Sequence, residues 1–483
     1  MPRAPENPPA GSGSASRHSV AARIRRGLAW NAAGLFLSRG ASILVRLLLA
    51  GVLLPQHFGW AAMIAILTGL AVAMVDLGLP QVLIQRPRDR SSRLLHDTAF
   101  WAVLASGLAW TVLLAAAGAP GLVWYFGEPA LLAPTMVMAI TVIVQAATLY
   151  PTVVLTRRMR FRPMVTAEAA GVVAGSVVAL VLAYAGAGVW SLVLQALLSG
   201  AVTCGWLWWA CRSRPRRRFD VALLRSALPA STAVLGARAI QFLRTQLDKL
   251  FVGTTLGAVA LGLYSLAYML AEGLRAQVAA IIGRVLLPAF SQAQQDPSAM
   301  RALYLSALRM WTFTLLPACL AVALFAPALV RTLLDPEWQA VSEPLGILAF
   351  SGVAYALSGP CAEVLQALGK PGQLLRIAWL NLLIVALPAT WWLTGQHGIV
   401  GTSLALTVAF ALQRVATAVA AWRSLGLSAS LPLSKLGPGM AVAVGLVAGH
   451  MLWGSKVALP LQLLVFAAAF GVLAGLSRRR TGQ

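Results

Sequence analysis

From residue 27 to the C-terminus, apolar runs of about 20 residues alternate with short polar breaks, and that length crosses a bilayer core. The runs fall at 27–54, 60–79, 98–118, 131–155, 164–185, 188–210, 227–253, 261–286, 304–326, 341–367, 373–394, 398–421, 437–453 and 458–477. Barrel strands are shorter and alternate in polarity, so continuous apolarity over such lengths predicts helices. The expectation is an all-α polytopic membrane protein of about 14 transmembrane helices.

The breaks are of two kinds. Arg23, Arg25 and Arg26 precede the first run; Arg86, Arg88, Arg90 and Arg93 follow the second, and Arg157, Arg158, Arg160 and Arg162 follow the fourth. Arg212, Arg214, Arg216, Arg217 and Arg218 follow the sixth, and the later even-numbered runs end on Arg301, Lys370, Arg423, Lys435 and Arg478–Arg480. The alternate breaks at 55–59, 119–130, 186–187, 254–260 and 395–397 carry almost no basic residue and are expected as short external loops. By the positive-inside rule both termini face the cytoplasm. External loops this short leave no room for a large extracytoplasmic catalytic domain.

The pattern is written twice. Ala119-Pro-Gly-Leu-Val closes on Glu128-Pro129, and Ala326-Pro-Ala-Leu-Val closes on Asp335-Pro336. Phe58-Gly59 answers Leu261-Gly262, Leu79-Pro80 answers Leu287-Pro288, and Gly188 has a looser partner in Gly398. Internal duplication in a membrane chain points to transport. Each copy has an even number of spans, so the repeats run parallel about an axis along the membrane normal. The expected organisation is a disordered cytoplasmic tail at 1–22, a six-helix lobe at 23–211, a basic linker at 212–225 and a second six-helix lobe at 226–425. Two additional helices at 436–477 and a basic tail at 478–483 close the chain.

Composition agrees: 59% of the 483 residues are hydrophobic and only 11% charged. The net charge of +24 would suit nucleic acid, but it sits in loop clusters between apolar runs, so no nucleic-acid partner is expected. The four cysteines are at unrelated spacings and suggest neither disulfides nor a metal site.

Charges inside spans are costly and tend to face a cavity or a partner. The first span holds Arg39 and Arg46, seven apart and on one face. Arg39 lies roughly 18 Å from the cytoplasmic end of its helix, too deep to snorkel. The seventh span, its repeat, holds Arg238, Arg244 and Asp248; the eighth holds Glu272 and Arg275. Arg39, Arg46, Arg238, Arg244 and Arg275 are therefore candidates to line a cationic cavity for an anionic head group, because guanidinium forks pair with phosphate oxygens. Arg244–Asp248 and Glu272–Arg275 have intrahelical pairing as an alternative account. Asp76, Glu168, Asp248 and Glu272 are candidates for ion coupling, although Asp76 also fits a helix-end cap and Glu168 a solvated cytoplasmic site. Glu363 and Arg414 also lie within spans. No Walker A loop, nucleophile triad or catalytic carboxylate pair occurs, and neither an enzyme nor an ATP-driven pump is expected.

Several strings resemble the polysaccharide transport, or Wzx-type, family of oligosaccharide-lipid flippases. They are Phe58-Gly-Trp-Ala-Ala-Met63, Asp76-Leu-Gly-Leu-Pro80, Ile84-Gln-Arg86, Thr98-Ala-Phe-Trp101 and Arg158-Met-Arg-Phe-Arg162, with Asp248-Lys-Leu-Phe-Val-Gly253, Leu261-Gly-Leu-Tyr-Ser-Leu-Ala-Tyr268 and Leu287-Pro-Ala-Phe-Ser291 in the second copy. The likeness covers residues 25–425. It implies the fold of the multidrug/oligosaccharidyl-lipid/polysaccharide exporter superfamily, with two MATE-like lobes around a cavity that opens alternately to each side. It also implies a bacterial cytoplasmic-membrane protein moving undecaprenyl-pyrophosphate-linked repeat units for exopolysaccharide, capsule or O-antigen synthesis. Implied partners are membrane lipids and the polysaccharide polymerase and export machinery, with no cofactor beyond coupling to H+ or Na+. A drug antiporter on the same fold is the alternative, disfavoured by the deep arginines. A membrane glycan polymerase or ligase is a second alternative, disfavoured by the short external loops.

Overall fold

The computed structural model describes residues 40–85 and 90–427. Arg39, the expected N-terminal tail and the two closing spans at 436–477 lie outside the described residues. Every regular element described is helical. In chain order they are α1 (Gly40–Ala50), α2 (Pro55–Val75), α3 (Leu79–Gln85), α4 (Arg90–Leu113), α5 (Ala119–Phe126), α6 (Leu132–Arg157), α7 (Arg162–Tyr184) and α8 (Val189–Cys211). Then come α9 (Val221–Ala293), α10 (Pro297–Leu333), α11 (Ser342–Ser358), α12 (Cys361–Ala367), α13 (Pro371–Asn381) and α14 (Leu387–Leu425).

Among the described residues nine helices are long and apolar enough to cross a membrane. Two of them are hairpins, broken at Gly257 (φ 81°) in α9 and at Gly398 (φ 57°) in α14. Both breaks need the left-handed region open to glycine; Gly257 falls inside the arginine-poor segment 254–260, and Gly398 directly follows the segment 395–397. The segment 119–130, expected as a loop, is instead mostly helical. A π-helical turn at Leu114–Gly118 leads straight into α5, which ends at Gly127 (φ 67°) before a 3-10 turn at Pro129–Leu131. Pro120 does not break it, because the π-helical turn just before it interrupts the regular ladder where the missing donor falls. At the arginine-rich end, aspartates start the long helices. The Asp220 carboxylate accepts from the amides of Ala222 and Leu223, and that of Asp296 from Ser298 and Ala299.

The duplication has a geometric signature. A Cβ on Gly59 would run into the backbone of Ala258, and a Cβ on Gly262 into the carbonyl of Pro55. Both contacts obey one offset of 203 residues (262 − 59 and 258 − 55), so the contact from first copy to second is repeated from second to first. Reciprocity of that kind is what a two-fold relation produces. Close backbone approach at small residues is also how helices associate in lipid, where no hydrophobic drive brings them together. Glu128-Pro129 and Asp335-Pro336 both open 3-10 turns, 207 residues apart (336 − 129). Gly188 (φ 56°, ψ −126°) and Gly398 (φ 57°, ψ −138°) share one conformation.

Packing divides the same way. One core joins both copies near the arginine-poor end and includes Leu49, Phe58 and Ile64 with Tyr264, Trp338 and Leu345. Phe58 meets Trp338 edge-on at 5.0 Å between ring centroids. Toward the arginine-rich end the core separates. Val75, Leu83, Val103 and Val142 form one cluster, and Phe290, Trp311, Leu365 and Leu425 another. The first arm of α9 packs with the former through Ala227.

Candidate functional site

The offset of 203 sets the register of the paired helices. Under it Arg46 of α1 is the equivalent of Lys249 of α9 (249 − 46), and not of either arginine in the seventh span. Their flanking residues agree, since Leu49 and Val252 (252 − 49 = 203) are both fully buried in the shared core. The two cations lie within electrostatic range of each other.

Arg46 lines a cavity of about 270 Å³ between α1, α2, α6, α7, α8 and the second arm of α9. Its polar wall is Ser42, Ser176, Gln195, Ser199 and Ser265. Among the described residues Arg46 forms no ion pair. The Ser176 and Ser265 hydroxyls are buried there without a hydrogen-bond partner. Buried hydroxyls are almost always satisfied, so a free guanidinium beside two orphaned hydroxyls is suited to an oxygen-rich anion.

Lys249 carries its ammonium over the Tyr268 ring, 4.9 Å from the centroid. Its neighbour Asp248 is buried and accepts from the Tyr264 hydroxyl at 2.6 Å, tying the two arms of α9 together. The Arg244–Asp248 pairing offered as an alternative account is absent among the described residues. Arg244 instead donates from Nε to Gln241 at 3.3 Å and lies within electrostatic range of Arg275 and Glu272. The Glu272–Arg275 pair does form, as three-residue spacing on a helix allows. The Arg275 guanidinium also lies over Tyr355 at 4.9 Å, and Arg414 lies over the same ring at 4.0 Å. Tyr355 thus receives two cations, with Glu363 within electrostatic range.

Two sequence candidates sit elsewhere. Arg238 is ion-paired with Asp76 where α2 ends, and the other carboxylate oxygen of Asp76 accepts from the Gly78 amide at 2.9 Å. That arrangement fastens the arginine-rich end of α2 to α9 and gives Asp76 the capping role weighed for it. Glu168 lines a separate cleft with Gln145, Thr148 and Thr203. Lys249 and Arg414 are the cations that sequence reasoning left unassigned. The register of Phe58-Gly59 against Leu261-Gly262 would have found Lys249. Among the described residues no cluster of His, Cys, Asp and Glu could hold a metal ion.

The family described as polysaccharide biosynthesis protein matches residues 48–343. The amylovoran biosynthesis protein AmsL of Erwinia amylovora is 29% identical over 233 residues, 47% of this chain and 60% of AmsL. The succinoglycan biosynthesis transport protein ExoT of Rhizobium meliloti is 24% identical over 360 residues, 74% of this chain and 72% of ExoT. The fold is similar to that of the lipid II flippase MurJ in an inward closed conformation, with a TM-score of 0.71 at 11% identity over 94% of this chain and 99% of MurJ. A family match over more than half the chain makes this multi-pass membrane protein, a helical bundle, a member of the polysaccharide biosynthesis protein family.

Proposed function

We propose that the protein is a flippase carrying undecaprenyl-pyrophosphate-linked oligosaccharides across the bacterial cytoplasmic membrane, with the arginine-rich face and both termini in the cytoplasm. The observation that carries this reading is Arg46, an intramembrane arginine with no acidic partner among the described residues, lining a cavity in which the Ser176 and Ser265 hydroxyls are also unsatisfied. In our reading Arg46 and Lys249 grip the pyrophosphate and Arg244 and Arg275 supply further positive field; Arg39, outside the described residues, is a candidate on its sequence position alone. The two six-helix lobes rock about the shared core at the arginine-poor end, and the divergence of the two cores at the other end supports that hinge. Asp248 and Glu272, each already bonded to a neighbour, are our candidates for coupling to H+ or Na+; Asp76 and Glu168 are remote from the cavity and rank below them. Polysaccharide polymerase and export machinery are the expected partners, and no catalytic step is assigned to this chain.

The test is a cell that depends on this protein for polysaccharide export. Replacing Arg46 and Lys249 with glutamine should stop export and leave single, unpolymerised lipid-linked repeat units on the cytoplasmic side. Export that continues undiminished removes both cations from the mechanism. Accumulation of polymerised units instead would indicate a later step.

A further inference from the structure

A second cavity, about 670 Å³ in volume, runs between α2, α5 and the first arm of α9, and its lining is almost wholly apolar. Leu70, Tyr125, Leu243 and Leu250 lie along it and are between 39% and 59% exposed, so it is open to the surrounding bilayer. Gly121 keeps it wide, because a Cβ there would meet nothing within 4 Å. Nearby, α2 and α9 pinch together, with Phe242 carbon 3.0 Å from a Cβ built on Gly69. One lining residue is cationic. Lys249 contributes its stem to the groove while its ammonium reaches inward over Tyr268, toward Arg46 and the polar cavity.

We infer that this groove holds the polyisoprenoid chain of the lipid-linked substrate, with Lys249 at the junction between chain and phosphate; this rests on the flippase reading above. An occupant needs a hydrocarbon body in the groove and an anionic head beside Lys249. Lys249 precedes the Gly257 break by eight residues (257 − 249), which sets it roughly 12 Å below that end of the helix. An ordinary phospholipid would have to draw its head group that far into hydrocarbon. A phosphate already held at Arg46 is at that depth, and its chain must leave sideways. The α2–α5–α9 groove provides that route, and chain length does not matter because the far end continues into lipid.

Photo-cross-linking tests the assignment on the full-length protein in nanodiscs of phosphatidylethanolamine and phosphatidylglycerol. A benzophenone side chain at Leu250 should capture undecaprenyl phosphate, and the same probe at Trp209, exposed outside the groove, should not. Excess unlabelled polyprenyl phosphate should abolish the adduct, and excess phosphatidylglycerol should leave it intact. Gly121→Trp, or Leu70→Trp should the first fail to fold, should cut the adduct at least tenfold while inorganic pyrophosphate still binds. Three results overturn the inference alone: no adduct at 250, an adduct lost to phosphatidylglycerol, or an adduct unmoved by groove filling, each with polyprenyl phosphate binding that still requires Arg46. Polyprenyl phosphate binding indifferent to both Arg46→Gln and Lys249→Gln overturns the flippase reading as well.

Discussion

The two copies share a scaffold and differ in the side chains they turn inward. Applying the offset of 203 residue by residue, Tyr264 and Tyr268 of the second copy stand where the first has Ala61 and Ala65, and Glu272 and Arg275 stand where it has Gly69 and Val72. Ala61 and Ala65 line the cavity. The space around Arg46 therefore exists because the first copy keeps small residues where the second fills the volume with aromatic rings and an ion pair. Duplication built matching walls, and divergence hollowed one side and charged the other. Arg46 and Lys249 are one position at which both copies kept a cation.

The predictions that follow test this comparison, beginning with the largest effect. Gly262→Leu and Gly59→Leu each force a side chain into partner backbone, and each should cost about 3 kcal/mol, the upper end for overpacking. Their losses in thermal stability in detergent should be equal within error, and a large inequality would break the two-fold relation. Next, Glu272→Gln leaves Arg275 in place with one partner removed. Breaking a fully buried pair costs about 3–5 kcal/mol; this pair is partly accessible, with side chains 10% and 33% exposed, so a smaller loss, about 2 kcal/mol, is expected. The corresponding change in the first copy, Gly69→Ala, meets only the Phe242 ring edge and should cost less. Arg46→Gln should weaken pyrophosphate binding by about 2 kcal/mol, roughly thirtyfold, as loss of a charge-assisted contact does. Lys249→Gln should weaken it less, because an ammonium offers no bidentate fork; isothermal titration on reconstituted protein measures both. Ala65→Tyr copies the second half onto the first, and it should abolish that binding with the fold intact by circular dichroism.

The smallest effect concerns a helix cap outside the membrane. The Ser298 hydroxyl, with the Ala299 and Ser298 amides, holds the Asp296 carboxyl below its ordinary value of 3.8. A depressed carboxyl contributes stability above its unfolded value and loses it as pH falls through the folded one. Asp296→Ala should lower the melting temperature slightly between pH 5 and pH 8, and the difference from the parent should close below about pH 4.

Much of this was legible from residues alone. Run length gave the helices, the short arginine-poor breaks at 254–260 and 395–397 gave the turns between the arms of α9 and of α14, and the alternation of arginine gave two kinds of break. The repeat was visible in Ala-Pro-x-Leu-Val, which runs into the last turns of α5 and α10, and the acid–proline pairs that close it open equivalent 3-10 turns. Register inside the membrane was less accessible. The arginines of the first span do not correspond one for one to those of the seventh, and composition carries no information on which turn of one helix is equivalent to which turn of another. The Gly59–Ala258 and Gly262–Pro55 contacts fix it to the residue. Competition between partners was equally hidden. Asp248 is four residues from Arg244, yet the Tyr264 hydroxyl, brought close by the Gly257 hairpin, takes it. The helical segment Ala119–Phe126 was missed because Ala-Pro after an apolar run reads as a stop, while a π-helical turn lets the chain continue.

The reciprocal glycine contacts bear on how such a site could arise. Two separate identical chains meeting at these glycines would carry every substitution on both sides of the axis. A tyrosine gained at one wall would appear at the other, and the hollow beside Arg46 would close as soon as its opposite face was filled. Joining the copies into one polypeptide kept the contact and released that constraint, so an asymmetric, elongated cargo could be met by an asymmetric chamber.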